Sequence, residues 1–509
     1  MTESKGTRGR IVMLVDNEVR FDSRVQKEAA SAAERGWEVV LLGKRTNRND
    51  AMQWTVGEAK VRLIKVPGPM SQRRFEYRRG LLRSPFAYLP GPLAQNKAQG
   101  SKAWKTDLRF RQADLAVRPK PLAPLRRTWL ALVLFVAKVH GRWVSFRFVR
   151  TQSLVEHRAA MDQPIDRFTT KWWQRTRGNR AWRKLDPGIM DWELAFGPVI
   201  DKLKPDLIHA NDFRMLAIGA RAATRAKAAG RDVKLVWDAH EFLPGMRPWQ
   251  SHPRWHLAQC ALERDFAPYA DAVVTVSEQL VEMITDEHHL AEPPFVVLNA
   301  PIVHVGNTHK PTVVDIRRAC GLGTETPLLV YSGLAAEKRG LDTMIDGLPL
   351  LDGVHVALVV SQPDLAYVTH LTRKAEELGV RDRLHIMPYV PVDDIVSYLS
   401  TADVGAIPVH HWPNHQISLG TKFFEYSHAR LPILVSDVRA MADKVRETGQ
   451  GEVFVAEDLD DYVRAVKALL ADKERYVRAY DAPGLLEAWT WERQADELDR
   501  IYTSITAGK

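Results

Sequence analysis

Short apolar runs recur along this chain, each closing on a polar residue, with stretches of helical spacing between them. This alternation constrains the fold most, because consecutive strands joined through a helix must run parallel. IVMLVD (Ile11–Asp16) is the first predicted strand. Asp22–Arg35 follows as a helix with Val25, Ala29, Ala32 and Ala33 on one side, and WEVVLLG after Gly36 returns to the sheet. The intervening loop, DNEVRFDSR, lacks GxGxxG, which disfavours a dinucleotide-binding enzyme. Val61–Val66 is another strand, and the alternation resumes at Met190 with strands at Asp206–Asp212, Lys234–Phe242, Asp271–Ser277 and Pro294–Pro301. A linker, 303–323, leads to a second series beginning with Leu328–Gly333. A chain of 509 residues exceeds one core, so the fold class is α/β, two Rossmann-like parallel-sheet domains (1–302 and 324–485) facing a cleft.

One segment, about 67–187, breaks the pattern. It is rich in Arg, Trp and Pro, shows no strand alternation, and reads as a mainly helical insertion, helical over Leu125–Val149. Ser71–Leu185 holds 26 Lys and Arg against 6 Asp and Glu, so it carries +20 while the rest of a chain of net charge +10 carries −10. Such a patch calls for an anionic partner. Interleaved Trp and Phe favour peripheral contact with an anionic membrane through residues 70–185, each basic residue near the surface adding about 1 kcal/mol. A structural cover on the sheet edge is the competing reading. Nucleic acid is not expected, since no base-reading motif is present. The longest uninterrupted apolar run, Trp129–Ala137, falls short of a membrane span, and MTESKGTRGR has no apolar core of a signal peptide. Cys260 and Cys320 give neither a disulfide framework nor a metal set, and no metal is expected. A cytoplasmic location, peripheral on the inner membrane face, is the expectation.

The stretch His415–Asp437 carries the most chemistry. Ser418, Leu419, Gly420 and Thr421 bring backbone N–H groups to a helix start, which suits an anion. Lys422 adds a cation, and Glu425 lies one turn on, where a carboxylate can take the paired hydroxyls of a ribose. After strand-ending Gly333, Lys338 and Arg339 are placed to reach a diphosphate from the opposite side. In the first domain, Asn211 and Asp212, His240 and Glu241, Ser277, and Asn299 end successive strands and should line one crevice, with Asp22 and Arg24 at the first helix.

These stretches together resemble the GT-B glycosyltransferases, family 4 among them. DSRVQKEAASAAERG, WDAHEF, ADAVVTVSE, VVLNAP, YSG…KRGLDTMIDGL and SLGTKFFEYSHARLPILVSD carry the resemblance over nearly all the chain outside 67–187. It implies transfer of a sugar from a nucleotide diphosphate sugar, as co-substrate, with retention and without cofactor or metal. The acceptor would be a glycan or lipid-linked, as in cell-envelope or surface polysaccharide synthesis. By the same resemblance Glu425 holds the donor ribose, Arg339 neutralises the diphosphate with amides at Gly420 and Thr421, and His240 stands by the donor sugar. WTWERQADELDRIY resembles the family's last helix, so 486–509 should cross back to the first domain. The chain departs from the family at Ile417, where the first glutamate of a pair falls, at Leu334, where a basic residue falls, and at Glu18, Val19 and Arg20, which replace a glycine pair. Two other readings stay open: a catalytically weak nucleotide-sugar-binding module and a nucleotide-sugar epimerase.

Overall fold

The computed structural model describes residues 8–20, 22–46, 52–67, 85–89, 91–117, 121–160, 164–246, 253–303, 314–391 and 394–507. It forms two compact units. One comprises Met1–Lys65, Ala195–Met246 and Glu263–Lys509; the other comprises Val66–Leu194 and Arg247–Leu262.

The first unit holds two sheets. The strands of one are β1 (Arg10–Leu14), β2 (Glu38–Lys44), β3 (Gln53–Val56), β4 (Ala59–Ile64), β5 (Leu207–Asn211), β6 (Lys234–Asp238), β7 (Ala272–Thr275) and β8 (Phe295–Val296). Their order is β3-β4-β2-β1-β5-β6-β7-β8, parallel except for the β3–β4 hairpin. The other sheet holds β9 (Leu328–Ser332), β10 (His355–Val360), β11 (Leu384–Pro388), β12 (Val404–Ile407), β13 (Ile433–Ser436) and β14 (Gly451–Phe454), ordered β11-β10-β9-β12-β13-β14 and parallel throughout. Burial on both faces explains why these strands read as unbroken apolar runs.

Helix α1 (Ser23–Glu34) starts where Asp22 accepts a hydrogen bond from the Val25 N–H at 3.2 Å. It packs Val25, Ala29, Ala32 and Ala33 on the first sheet. The helix Trp491–Thr506 adds Trp491, Leu498, Ile501 and Tyr502 to that same core, although it follows the second sheet in the chain.

Three boundaries differ from the sequence reading. β3 was absent from it, because an edge strand of four half-exposed residues carries little apolar signal. The strand expected at Lys234–Phe242 stops at Asp238, whose side chain turns inward to Arg24, so His240 and Glu241 sit in the following loop. The linker holds a short helix, Ile316–Ala319, and its residues 304–313 lie outside the described ones.

The second unit is helical among the described residues: α2 (Pro92–Val117), α3 (Ala123–Ala160), α4 (Pro164–Arg177) and short segments. Part of the inferred insertion, 68–84, lies outside them. Leu108 of α2 packs with Leu134 and Ala137 of α3. Buried Arg254 donates to Thr170 at 2.8 Å and pairs with Asp166 of α4 at 3.5 Å. The expectation that no segment approaches a membrane span is corrected here. Ala123–Glu156 is long and apolar enough to cross a membrane by length and composition. Lys138 and Arg142 interrupt the apolar run, which continues on both sides of them.

Candidate active site

The carboxyl ends of the first sheet's strands surround a cavity of about 550 Å³ lined by Asp22, Arg24, Lys44, His240 and Asn299, among others. That is where an open parallel sheet offers its polar groups. Asp212 and Glu241 are not among its lining residues. Asp212 begins the helix Asp212–Ala228 with φ +66° and places its carboxylate 3.2 Å from His240 Nε2. His240 Nδ1 is 3.7 Å from Asp238 Oδ1. Burial works against charge on His240, but Asp212 and Asp238 outweigh it and raise its pKa to about 10. Burial pushes Asp212 up to about 6 despite the pull of His240. At neutral pH the two therefore form an ion pair, and His240 is an imidazolium. Glu241 is exposed and reaches Asp212 only through its charge.

Arg24 borders the cavity, yet its guanidinium is committed to the interior. Nε is 2.7 Å from Asp238 and 3.1 Å from Glu28, and Nη1 donates to the Val297 carbonyl at 3.0 Å. His209 Nε2 lies 3.5 Å from Glu28, and Nδ1 of the same ring meets the Tyr502 hydroxyl at 2.6 Å. Burial would raise the pKa of Asp238, but Arg24 and the two histidines hold it well below the usual range. Burial leaves Glu28 well above its own. Glu28, His209 and Asp238 could converge on a metal. The adjoining guanidinium already occupies Asp238 Oδ2, which makes this a buried charge network instead. Sequence reasoning missed its members, apart from Arg24: Glu28 pairs with Arg24 one helical turn away, but His209 and Asp238 join them only across strands, and Tyr502 lies 293 residues from His209.

The first loop also differs from a glycine-bearing one. Val19 adopts φ +69°, a conformation costly for a β-branched residue. Asn17 Oδ1 accepts from the Val19 N–H at 2.7 Å, and Asn17 Nδ2 donates to Asp22 at 2.7 Å. Val19 presses on Gly43, where an added Cβ would lie 2.7 Å from its Cγ2. The valine thus keeps a glycine-like turn.

The second sheet supplies the other group. Gly333, the residue after β9, has φ +139°, and Lys422 lies directly over it. Gly340 has φ +69° and closes the Glu337–Arg339 turn against the Pro408 carbonyl, which a Cβ would meet at 1.8 Å. The helix Thr421–His428 is fixed by the Tyr426 hydroxyl, which accepts from the Ser332 N–H at 2.8 Å. At its start the Ser418 N–H donates to His415, while the N–H groups of Gly420, Thr421 and Lys422 donate to no protein group among the described residues. Burial lowers the Lys422 pKa, opposed by Glu425 and reinforced by Arg339. Burial raises that of Glu425, opposed by Lys422 and by Lys27 of α1. Glu425 Oε2 and Arg339 Nε are buried without a protein partner. Exposed Lys338 instead holds its ammonium 5.6 Å from the Trp412 ring, so of the loop's two cations Arg339 is the one whose charge acts on Lys422.

Lys27 was also missed. Its ammonium donates to Asn299 at 3.0 Å and lies over the Trp491 ring, and burial together with Arg24 lowers its pKa to about 7. Ser277 Oγ donates to the Ile417 carbonyl at 2.5 Å, joining the loop after β7 to the segment before the helix Thr421–His428. Ile417 itself is buried, and Leu334 is half exposed.

Residues 160–302 match the family described as Glycosyltransferase Family 4, and residues 314–482 match Glycosyl transferases group 1. A D-inositol 3-phosphate glycosyltransferase from Geodermatophilus obscurus is 24% identical over 356 residues, covering 63% of this chain and 77% of that protein. A GDP-mannose-dependent alpha-(1-6)-phosphatidylinositol monomannoside mannosyltransferase from Mycobacterium tuberculosis is 28% identical over 193 residues, 36% of this chain and 49% of that one. Among solved structures, sucrose-phosphate synthase from Thermosynechococcus elongatus shares the fold with TM-score 0.63 at 14% identity, covering 99% of this chain and all of that one. Anabaena HepE in complex with UDP-glucose shares it with TM-score 0.58 at 12% identity, over 97% of this chain and all of that one. Two parallel-sheet domains and two adjoining family matches lead to one conclusion: the chain belongs to the GT-B glycosyltransferases of family 4 (glycosyl transferases group 1).

Proposed function

We propose that this glycosyltransferase moves a sugar from a nucleotide diphosphate sugar to a glycan or lipid-linked acceptor, with retention at the anomeric carbon and without a metal or other cofactor. The observation that carries this is the buried Glu425 oxygen without a protein partner, beside Lys422 and Arg339. A buried carboxylate so placed needs hydrogen-bond donors, and a ribose diol supplies two. Cleavage of a glycosyl–phosphate bond builds negative charge on the departing diphosphate. Arg339, Lys422 and the amides of Gly420 and Thr421 stabilise that charge most as it develops, which lowers the barrier. The imidazolium of His240, both nitrogens turned to Asp212 and Asp238, borders the cavity and sets its positive charge beside the donor sugar.

Hydroxyl-rich acceptors suit the cavity at Asp22, Asn299 and Lys44. Phosphorylated inositol or its lipid, named in the relatives, is one such acceptor. Envelope or surface-polysaccharide synthesis at the inner membrane face follows, with peripheral contact through the basic segment 70–185.

A thermal-shift screen of nucleotide diphosphates and their sugars tests the donor site. A ligand at 100 times its Kd stabilises by about 2.7 kcal/mol. A shift with one nucleotide, lost in Glu425→Ala and Arg339→Ala, is expected; no shift with any nucleotide sinks the reading. Anomeric NMR of the product tests retention, and turnover in excess chelator tests metal independence.

A further inference from the structure

Helix α3 has two apolar seams. Leu134, Ala137, Val144 and Phe148 face the protein, packed with Leu108 and Ala94 of α2 and with Tyr88. A helix covering one core needs only that stripe. Yet Leu125, Trp129, Leu132, Val136, Val139 and Trp143, alternating by four and three, form a second seam on nearly the opposite side. These six are between 45% and 70% exposed, and Phe146 continues the line, stacked on Trp143. The seam is about 30 Å long at 1.5 Å per residue.

Charge decides what covers it. His140 and Arg142 border the seam, Arg126 and Lys138 are exposed further round the helix, Arg127 donates to the Leu115 carbonyl of α2, and no acidic residue occurs from Ala123 to Val155. A second copy would set these cations against each other. An anionic bilayer surface receives them, with Trp at the level of the headgroups. The pattern returns in α4, where Ile165, Phe168 and Trp172 are exposed beside Arg167, Lys171 and Arg175. A separate hollow of about 330 Å³ in this unit is lined by Arg177, Arg180, Arg183 and Lys184, a fit for a phosphate-bearing headgroup.

The geometry also sets the mode. Although Ala123–Glu156 is long enough to span, α2 lies along its other seam and exposes Lys102, Asp107, Arg109 and Arg111, which hydrocarbon would not accept. We propose that α3 lies in the plane of an anionic membrane surface, with the seam Leu125–Phe146 inserted below the headgroups. This rests on the membrane part of the reading above and assigns its surface and depth.

The test is flotation of the full chain with phosphatidylcholine vesicles and with vesicles containing phosphatidylglycerol. Binding to the anionic vesicles only, weakened by salt, is expected, with Trp fluorescence quenched by lipids brominated high on the chain. Trp129→Glu/Trp143→Glu should lower bound protein at least tenfold. Lys138→Glu/Arg142→Glu, confined to exposed positions, should lower it several-fold and flatten the salt dependence. Wild type ignoring both vesicles, or both variants binding like wild type, overturns the proposal. So does resistance to alkaline carbonate extraction, which means spanning, or a lipid-free dimer abolished by Trp129→Glu, which means the seam joins two copies. The nucleotide thermal shift is recorded on the same samples. Its loss with vesicle binding intact refutes the donor-site reading and leaves this one standing; the converse refutes only the membrane mode.

Discussion

A methyl group at Gly333 would lie 1.9 Å from Lys422 Cε, so the residue after β9 and the start of the helix Thr421–His428 are fitted around one missing side chain. With φ +139° at Gly333, alanine there is strained before it clashes. Gly333→Ala should displace Lys422 and cost about 1–3 kcal/mol of stability. Nucleotide affinity should fall at least tenfold, read by calorimetry. Gly333→Ala/Lys422→Ala should regain part of the melting temperature but none of the affinity. Equal affinity in Gly333→Ala and wild type would remove Lys422 from the donor site.

Charge on the His240–Asp212 pair sets a pH window. Asp212 ionises near pH 6 and His240 loses its proton near pH 10, so kcat/KM should rise through about 6 and fall through about 10. Asp212→Asn should abolish the acid limb and draw the alkaline limb down, since the largest attraction holding the proton on His240 is gone. The signs carry to stability. A histidine with a raised pKa contributes stability that is fully present below its ordinary value of 6.5 and lost as pH climbs through about 10. An aspartate raised to about 6 favours the fold below its ordinary 3.8, a contribution lost as pH rises through about 6. Melting curves across pH for wild type and His240→Gln check this.

Glu425→Gln keeps shape and removes charge. Its buried oxygen can still accept from a hydroxyl, so nucleotide binding should weaken by about tenfold or less, while Glu425→Ala should lose more. If Glu425→Ala binds like wild type, the carboxylate does not hold the ribose.

Val19 and Gly43 form a second fitted pair. Gly43→Ala brings Cβ within 2.7 Å of Val19 and 2.9 Å of the Asn17 carbonyl, and should cost about 1–3 kcal/mol. Val19→Gly exchanges relief of a strained φ for lost burial, terms of similar size, so its melting temperature should stay near wild type. Denaturant titration of both variants and their double checks the coupling.

Tyr502→Phe removes the hydroxyl meeting His209 and leaves that nitrogen unpaired in a buried site, at a cost of about 1–3 kcal/mol. Urea titration measures it.

Periodicity and strand-end chemistry were sufficient to read two parallel sheets, the helical character of the described residues between 85 and 187, and the places of Asp22, Gly333, Thr421 and Glu425 on or beside their elements. Those features are local, since a strand ends or a helix begins within a few residues of its signal. Folding alone decided which of two neighbouring side chains faces a site. Arg24 turned to Asp238 and Lys338 to Trp412, while Lys27, which no motif marks, came to lie beside Asn299 and Glu425. His209, Asp238 and Tyr502 were illegible for the same reason: buried charges are set by partners brought together across strands, and linear spacing does not encode those distances, although it does encode the Arg24–Glu28 pair one turn apart on α1. The second seam of α3 was written in the sequence, but only the packing of α2 on the first seam showed which one is left exposed.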